Sequence, residues 1–442
     1  MTELGSSRIL TKTNASHDFH RVCVVGLGYV GLPTAAILAT KGIDVVGVDV
    51  EAARVDAVNA GAAYIAEPDL GAMVRESVER GRLHARQEVV AADAFVVAVP
   101  TPFGRNHEPD LRCLRNAAAS LARVLVPGNL VVLESTSPVG TTEAVCKWLA
   151  EGSPELTFPH TAGEDSDIRV AYSPERILPG HILAELVNND RVVGGVTPSC
   201  ARAASSLYRI FVQGTCSMTS ARTAELVKLT ENAYRDVNLA FANELSLVCD
   251  ALGLDPWEVI ELSNRHPRVD VLRPGPGVGG HCVAVDPWFL VHAAPDQTPL
   301  VQTARQINDG KPQWVVDRVL AACDGLVNPT VACLGLAYKA NVGDLRESPA
   351  VGIVVRLESM VAGTVLVVDP HVAGLPDVLV RGRVKLVDQD DALSVADVVV
   401  VLTDHREFLN IEPDSLIGKR LIDTRGLWGV KDHGSSKASS RF

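Results

Sequence analysis

The sequence predicts an α/β protein with two doubly wound, parallel-sheet domains joined by a long central helix. Three observations carry this prediction. Short β-branched runs alternate with Ala- and Leu-rich stretches at both ends of the chain, the first alternation opens on GxGxxG spacing, and an uninterrupted helical stretch lies between. Strands that alternate with helical segments pack as a parallel sheet with helices on its faces. A chain of 442 residues is also too long for one core and divides into two or three domains.

Residues 1–19 read as a polar, disordered tail, because "MTELGSSRILTKTNASHDFH" lacks the apolar core of a signal peptide. "RVCVVG", "DVVGVDV", "AFVVAVP" and "NLVVLES" then read as strands. From about Met218 to Leu252 no Pro or Gly occurs; Ser220 suits the cap of this helix and Gly253 its end. At 1.5 Å per residue it would run roughly 50 Å, enough to act as a scaffold and a dimer surface. A second helix opens at "DPWE", with Asp255 as cap, Pro256 in the first turn and Glu258 completing a capping box. "TVACLGLA", "TVLVVDP", "VKLVD" and "DVVVVLTD" repeat the strand pattern, and residues 431–442 read as a flexible tail.

Net charge is −12, so nucleic acid is not an expected partner. No apolar run reaches the roughly 20 residues that cross a bilayer. Nine cysteines are scattered, with no CxxC, which argues against a disulfide framework or a zinc site and for a reducing, cytoplasmic setting. His266 and His281 lack paired ligand spacing, so no metal is expected.

"VVGLGYVG" supplies Gly26, Gly28 and Gly31 around Tyr29 and Val30, after a strand and before a helix. The first glycine permits the tight turn, the second lets backbone approach a pyrophosphate, and the third packs helix on strand. Asp49 follows 21 residues after Gly28, the interval of a carboxylate on the adenosine ribose. The domain is therefore Rossmann-like, and an acid at this place favours NAD over NADP, with Arg54 five residues on working the other way. Thr101 in "VPTP" and Thr142 in "ESTSPVGTTE" fall at later strand ends, where such sheets bind ligands. For Thr142 a plain helix cap and a cofactor contact are both open.

Cys282 lies in "GPGVGGHCVAVDPW", where the glycines would let a substrate carbon approach the thiol, an intrinsically strong nucleophile. A Gly-rich turn around a buried cysteine is the plain alternative. On the long helix, Lys228, Asn232 and Arg235 stand at i, i+4 and i+7 and share one face, either to steady an oxyanion and a phosphate or as a solvated stripe. Glu175 in "YSPERILPG" sits beside chain-fixing prolines, a site or a surface turn.

"VVGLGYVGLPTA", "ESTSPVGTTE", "SPERILPG", "KLTENAYRDVNLAFANEL", "GPGVGGHC" and "DLRESPA" occur in the order of the UDP-glucose/GDP-mannose dehydrogenase family, which the chain resembles from Arg21 to about Trp428. The resemblance implies an NAD domain over 20–217, a central helical and dimerisation domain with the cysteine loop over 218–312, and a domain for the UDP-sugar over 313–430. "GGHCVAVDPWF" and "NRHPRV" are most similar to the branch acting on UDP-N-acetylmannosamine, and Val285 stands where UDP-glucose enzymes more often carry Lys. The implied reaction is a four-electron, NAD-dependent oxidation at C6, for surface polysaccharide synthesis. Cys282 would hold a thiohemiacetal and then a thioester. Lys228 and Asn232 would stabilise the oxyanion and touch substrate, Glu175 would move protons, and Asp286 would support the Lys and the water. Arg176, Ile177, Arg235, His266, Arg268, Gly279, Tyr338 and Lys339 match substrate positions, and Arg346 matches a cofactor contact. UDP-N-acetylglucosamine or UDP-glucose is the nearest alternative substrate. A two-electron hydroxyacid-type dehydrogenase and an inactive nucleotide-sugar sensor are more distant readings.

Overall fold

The computed structural model describes residues 19–65, 67–104, 108–177, 180–280, 282–380 and 382–428. The tail expected over 431–442 lies outside them, as do residues 1–18 and His281; Phe19, counted with the first tail, is buried in the core. The chain forms two units. One comprises the residues up to 101 with 109–228, and the other 102–108 with 229 onward, so the division falls within the long helix.

The first unit is built on an eight-stranded sheet: β1 (Arg21–Val25), β2 (Asp44–Val48), β3 (Leu83–Arg86), β4 (Ala94–Val97), β5 (Leu130–Leu133), β6 (Arg169–Tyr172), β7 (Arg191–Gly195) and β8 (Cys216–Ser220), ordered 3-2-1-4-5-6-7-8. Along β1, Val22 and Val24 enter one hydrophobic cluster while Cys23 and Val25 enter the cluster on the opposite face. Burial on both faces is why these strands read as continuous apolar runs. All pairings are parallel except β6 with β7, which is antiparallel and departs from the all-parallel expectation. The helix expected from about Met218 begins at Ala221, because Cys216–Ser220 instead pairs with β7, Met218 opposite Val193. Ser220 does act at its start, accepting the Thr223 amide at 3.2 Å. Gly253, past its end, has φ +68°, the left-handed cap that glycine favours.

The second unit carries a five-stranded, wholly parallel sheet: β9 (Thr330–Leu334), β10 (Thr364–Val368), β11 (Lys385–Leu386), β12 (Val398–Val401) and β13 (Arg420–Asp423), ordered 11-10-9-12-13. Val331 and Cys333 face one cluster, Ala332 and Leu334 the other. The helix Pro256–Ser263 starts as expected, with the Asp255 carboxylate accepting the Trp257 amide at 2.8 Å.

Candidate active site

At the end of β1, the three glycines divide their duties. Gly26 has φ +93°, and a Cβ there would lie 2.6 Å from the Ala98 carbonyl oxygen. A Cβ on Gly31 would sit 1.8 Å from the Gly26 oxygen. A Cβ on Gly28 would meet nothing within 4 Å, so the protein's own packing does not require that glycine. Open space above backbone amides at a helix start is what a pyrophosphate needs, and the cradle fits a dinucleotide. Asp49 is buried; its carboxylate accepts the Leu27 amide at 2.9 Å and the Glu51 amide at 3.0 Å. Arg54 is drawn onto Asp49 (3.3 Å) and Glu51 (2.9 Å). Tyr64 donates its hydroxyl to the Leu27 carbonyl beside the same guanidinium, and burial lifts its phenol above the ordinary value, with the Asp49 charge adding to it. Tyr29 is exposed, Val30 half-buried at the cap of the helix Gly31–Thr40, and Thr101 donates to the Thr136 carbonyl at 2.5 Å.

Glu175 follows β6 and is part of a buried charge network absent from the sequence reading. Arg191, first residue of β7, donates one nitrogen to Glu175 (3.0 Å) and another to Glu134 at the end of β5 (3.1 Å). Tyr208 donates to Glu134 at 2.8 Å, and its ring lies 4.2 Å from the Arg191 guanidinium carbon. Burial raises the Glu134 carboxyl, an effect the Arg191 charge only partly opposes. Burial also disfavours the Arg191 charge, but the Glu175 and Glu134 carboxylates outweigh it and keep the guanidinium firmly protonated. The Arg176 amide donates to Glu175 at 2.6 Å, its guanidinium reaches the Asp190 carbonyl at 3.1 Å, and Ile177 packs against the core.

Thr142 is not the cap of its helix. The helix Thr141–Gly152 follows Gly140, and Glu225 of the long helix caps it from across the fold, accepting the Gly140 amide (2.6 Å), the Thr142 amide (2.7 Å) and the Thr142 hydroxyl (2.6 Å). A carboxylate suits the positive end of a helix, although burial raises the Glu225 carboxyl. Lys228 is buried one turn further along.

In the second unit Cys282 is half-buried, in a turn whose Cys282 carbonyl accepts the Val285 amide (3.0 Å) and the Asp286 amide (2.8 Å). Asp286, buried at the start of the helix Asp286–Ala293, accepts the Asn232 side-chain amide at 2.5 Å. The glycines before the thiol are required by the chain's own packing. A Cβ at Gly279 would lie 2.5 Å from the Glu347 carbonyl oxygen, and one at Gly280 2.8 Å from the Tyr338 ring. Asn243 anchors the loop, accepting the Gly275 amide at 2.9 Å and donating to Asn308 at 2.9 Å, which in turn donates to Asp236 at 2.8 Å. Arg305, buried, closes this network on Asp236 at 2.6 Å. Tyr338 and Lys339 occupy the loop after β9, and Arg346 is paired bidentately with Asp344, at 2.9 and 2.6 Å. Arg235, His266 and Arg268 are exposed, the Arg268 amide donating to the His266 ring at 3.3 Å.

The expected site residues are thus shared between the units: Glu175, Lys228 and the fingerprint in one, Cys282, Asn232, Asp286 and the loop of Tyr338 in the other. Sequence reasoning missed Glu134, Arg191, Glu225 and Asn243. Their only local signal is a charged or amide group inside an apolar run, as in "NDRVVGG".

Three consecutive stretches match models of one family: its NAD binding domain over residues 20–212, its central domain over 222–310 and its UDP binding domain over 332–430, all of the UDP-glucose/GDP-mannose dehydrogenase family. The chain is 55% identical to an NDP-N-acetyl-D-galactosaminuronic acid dehydrogenase of Ralstonia nicotianae, over 94% of this chain and 97% of that protein. It is 54% identical to a UDP-N-acetyl-D-mannosamine dehydrogenase of Yersinia pestis, over 93% and 100%. The solved UDP-D-ManNAc dehydrogenase of Pyrococcus horikoshii is similar with a TM-score of 0.84 and 37% identity, over 93% of this chain and 96% of that one.

Proposed function

The chain belongs to the UDP-glucose/GDP-mannose dehydrogenase family, and from that premise we propose that it oxidises UDP-N-acetyl-D-mannosamine at C6 to UDP-N-acetyl-D-mannosaminuronate. Membership makes it an NAD-dependent UDP-sugar dehydrogenase. Four electrons leave the sugar, and Cys282 retains the half-oxidised product between the two stages. The observation that carries this route is the single turn that joins the Cys282 carbonyl to the buried Asp286, itself held by Asn232.

Gly26, Gly28, Gly31 and Asp49 would hold NAD, which when bound accepts a hydride in each oxidation. The Cys282 sulfur adds to the C6 aldehyde to give a thiohemiacetal, and the second oxidation leaves a thioester that water opens. Lys228 and Asn232 stabilise the oxyanion, Glu175 takes and returns protons, and Asp286 orients Asn232 and the attacking water. Arg176, Ile177, Arg235, His266, Arg268, Gly279, Tyr338 and Lys339 bind the substrate. Arg346, with Tyr29, Val30, Arg54, Thr101 and Thr142, completes the cofactor contacts.

A homodimer through the long helix is part of the reading. Tyr234, Phe241, Val248 and Leu252 are 72, 58, 45 and 66% exposed and recur at seven- and four-residue intervals, the spacing of a helix-pairing seam. A cytoplasmic setting and a role in surface polysaccharide synthesis also belong to it, the first supported by nine scattered cysteines, an odd count with no CxxC.

The relatives named as NDP-N-acetyl-D-galactosaminuronic acid dehydrogenases favour a second substrate, an N-acetylgalactosamine nucleotide, which the UDP binding domain would take as the UDP-sugar. Assay of the purified chain with UDP-N-acetylmannosamine, UDP-N-acetylgalactosamine, UDP-N-acetylglucosamine and UDP-glucose decides between them. Two NADH per UDP-N-acetylmannosamine and a carboxylate product are expected; turnover of another sugar alone overturns the choice. Cys282→Ala should abolish carboxylate formation, and full turnover by that variant would end the thioester route.

A further inference from the structure

The second unit repeats the fingerprint of the first. "CLGLAYKA" after β9 parallels "VVGLGYVG" after β1, and Gly335 has φ +91° where Gly26 has +93°. The Gly26 amide donates to the Val48 carbonyl at 2.7 Å and the Gly335 amide to Val368 at 2.8 Å. Asp49 accepts the Leu27 amide at 2.9 Å, and Asp369 accepts the Leu336 amide at 2.7 Å. The strands around each run in the same 3-2-1-4-5 sense.

Four residues past β12 stands His405, where the first unit has Thr101 four residues past β4. His405 is sealed from solvent, and its Nε2 lies 3.2 Å from Asp369 Oδ2. Its Nδ1 receives the Asn341 backbone amide at 2.9 Å. A backbone N–H can only donate, so Nδ1 is bare and Nε2 carries the proton that bonds Asp369. Asn341 answers by accepting the Arg406 amide on its side-chain oxygen at 3.0 Å. It is also the bend of the loop that carries Tyr338 and Lys339, with φ +60°, a left-handed conformation unfavourable for most side chains.

We infer that His405 is a positioning residue: it ties Asp369, directly after β10, to Asn341, at the bend of the loop, and so holds Tyr338 and Lys339 for the nucleotide of the sugar substrate. The inference rests on the reading of Tyr338 and Lys339 as substrate contacts. Two further contacts seat the same loop. Thr403 donates to the Ala337 carbonyl at 2.6 Å, and a Cβ at Gly343 would lie 2.3 Å from the His371 carbonyl oxygen. Burial opposes the Asp369 charge, but the His405 hydrogen bond and the Leu336 and His371 amides outweigh it and hold the carboxyl below its ordinary range. His371, His405 and Glu407 offer ligand atoms within 4.8 Å of one another. A cation there would need a His405 lone pair, and both ring nitrogens are engaged.

The test separates the two nitrogens. His405→Asn keeps an acceptor where Nδ1 stood; His405→Gln keeps a donor where Nε2 stood. With the full-length enzyme, His405→Gln should raise KM for the UDP-sugar and Kd for UDP about tenfold, the worth of one buried hydrogen bond, with kcat nearly unchanged. His405→Asn, which keeps the bond to Asn341 and loses the one to Asp369, should fall between the parent and His405→Gln. Equal loss in both, together with a lowered melting temperature, would mean that the ring only fills the core and would overturn the inference, as would parental KM in both. Hydrogen exchange at the Asn341 amide gives a second reading independent of His405→Gln folding: it must be slow in the parent, and fast exchange there also overturns the latch. Lys339→Ala is the control for the underlying reading. If it leaves KM unchanged, the loop is not a substrate site and both ideas fall, whereas a raised KM with silent His405 variants sinks the latch alone.

Discussion

Arg191 donates to the Glu175 carboxylate at 3.0 Å, and the two side chains are only 5 and 10% exposed. A second nitrogen of the same guanidinium holds Glu134 at 3.1 Å. One cation therefore bridges two acidic side chains, and burial raises the Glu134 carboxyl in spite of it. Arg191→Met should cost about 3–5 kcal/mol in urea unfolding, since it strands charges away from water. Arg191→Lys, which keeps the charge and loses the fork, should fall between. Parental stability in the methionine variant would show that the network carries no such strain.

The fingerprint glycines should separate in the laboratory. Gly31→Ala places a Cβ 1.8 Å from a backbone oxygen, so the expected outcome is loss of several kcal/mol or failure to fold. Gly28→Ala meets nothing within 4 Å, so its melting temperature should match the parent while KM for NAD rises tenfold or more, about 1.4 kcal/mol. Unchanged NAD affinity in Gly28→Ala would argue that the pyrophosphate lies elsewhere.

Lys311 is buried, donates to Ser246 at 2.5 Å and stacks on Trp314, and burial pulls its pKa from 10.5 down to about 7. The unfolded chain holds the proton up to about pH 10.5, the folded chain only up to about 7. The unfolded state therefore binds more protons between those values, and the Lys311 contribution to stability rises with pH across that window. It is complete above the window and lost as pH falls to 7, by roughly 1 kcal/mol per pH unit at most. Lys311→Met should flatten the slope of unfolding free energy between pH 7 and 10. An unaltered slope in the variant would mean that the lysine is solvated.

Phe241 lies at the middle of the exposed seam on the long helix and is 58% exposed in the single chain. Light scattering should give the parent twice the mass of one chain, and Phe241→Glu half of that. A parent that runs as one chain at micromolar concentration removes the seam as an interface.

Much of the fold could be read directly because its signals are local. A strand buried on both faces shows itself as an apolar run, as at "RVCVV", and helix ends show themselves in Ser220, Asp255 and Gly253. Five strands escaped notice: β3, β6, β7, β8 and β13. β3 (LHAR) and β8 (CSMTS) carry too little apolar character to stand out and are set by pairing with β2 and β7. Thr142 shows the same limit: its residue type suits a cap, yet the carboxylate that caps the helix comes from Glu225, 83 positions away.

By itself the sequence determined most strands of the two sheets, the long helix and the dinucleotide turn, because periodicity, capping and glycine spacing act over a few residues. Which acids lie beside Arg191, what steadies Asp286 and how the loop after β9 is fastened were decided only by the tertiary structure. Those contacts join positions 16 to 64 residues apart, and only chain closure in a low-dielectric interior gives them their partners.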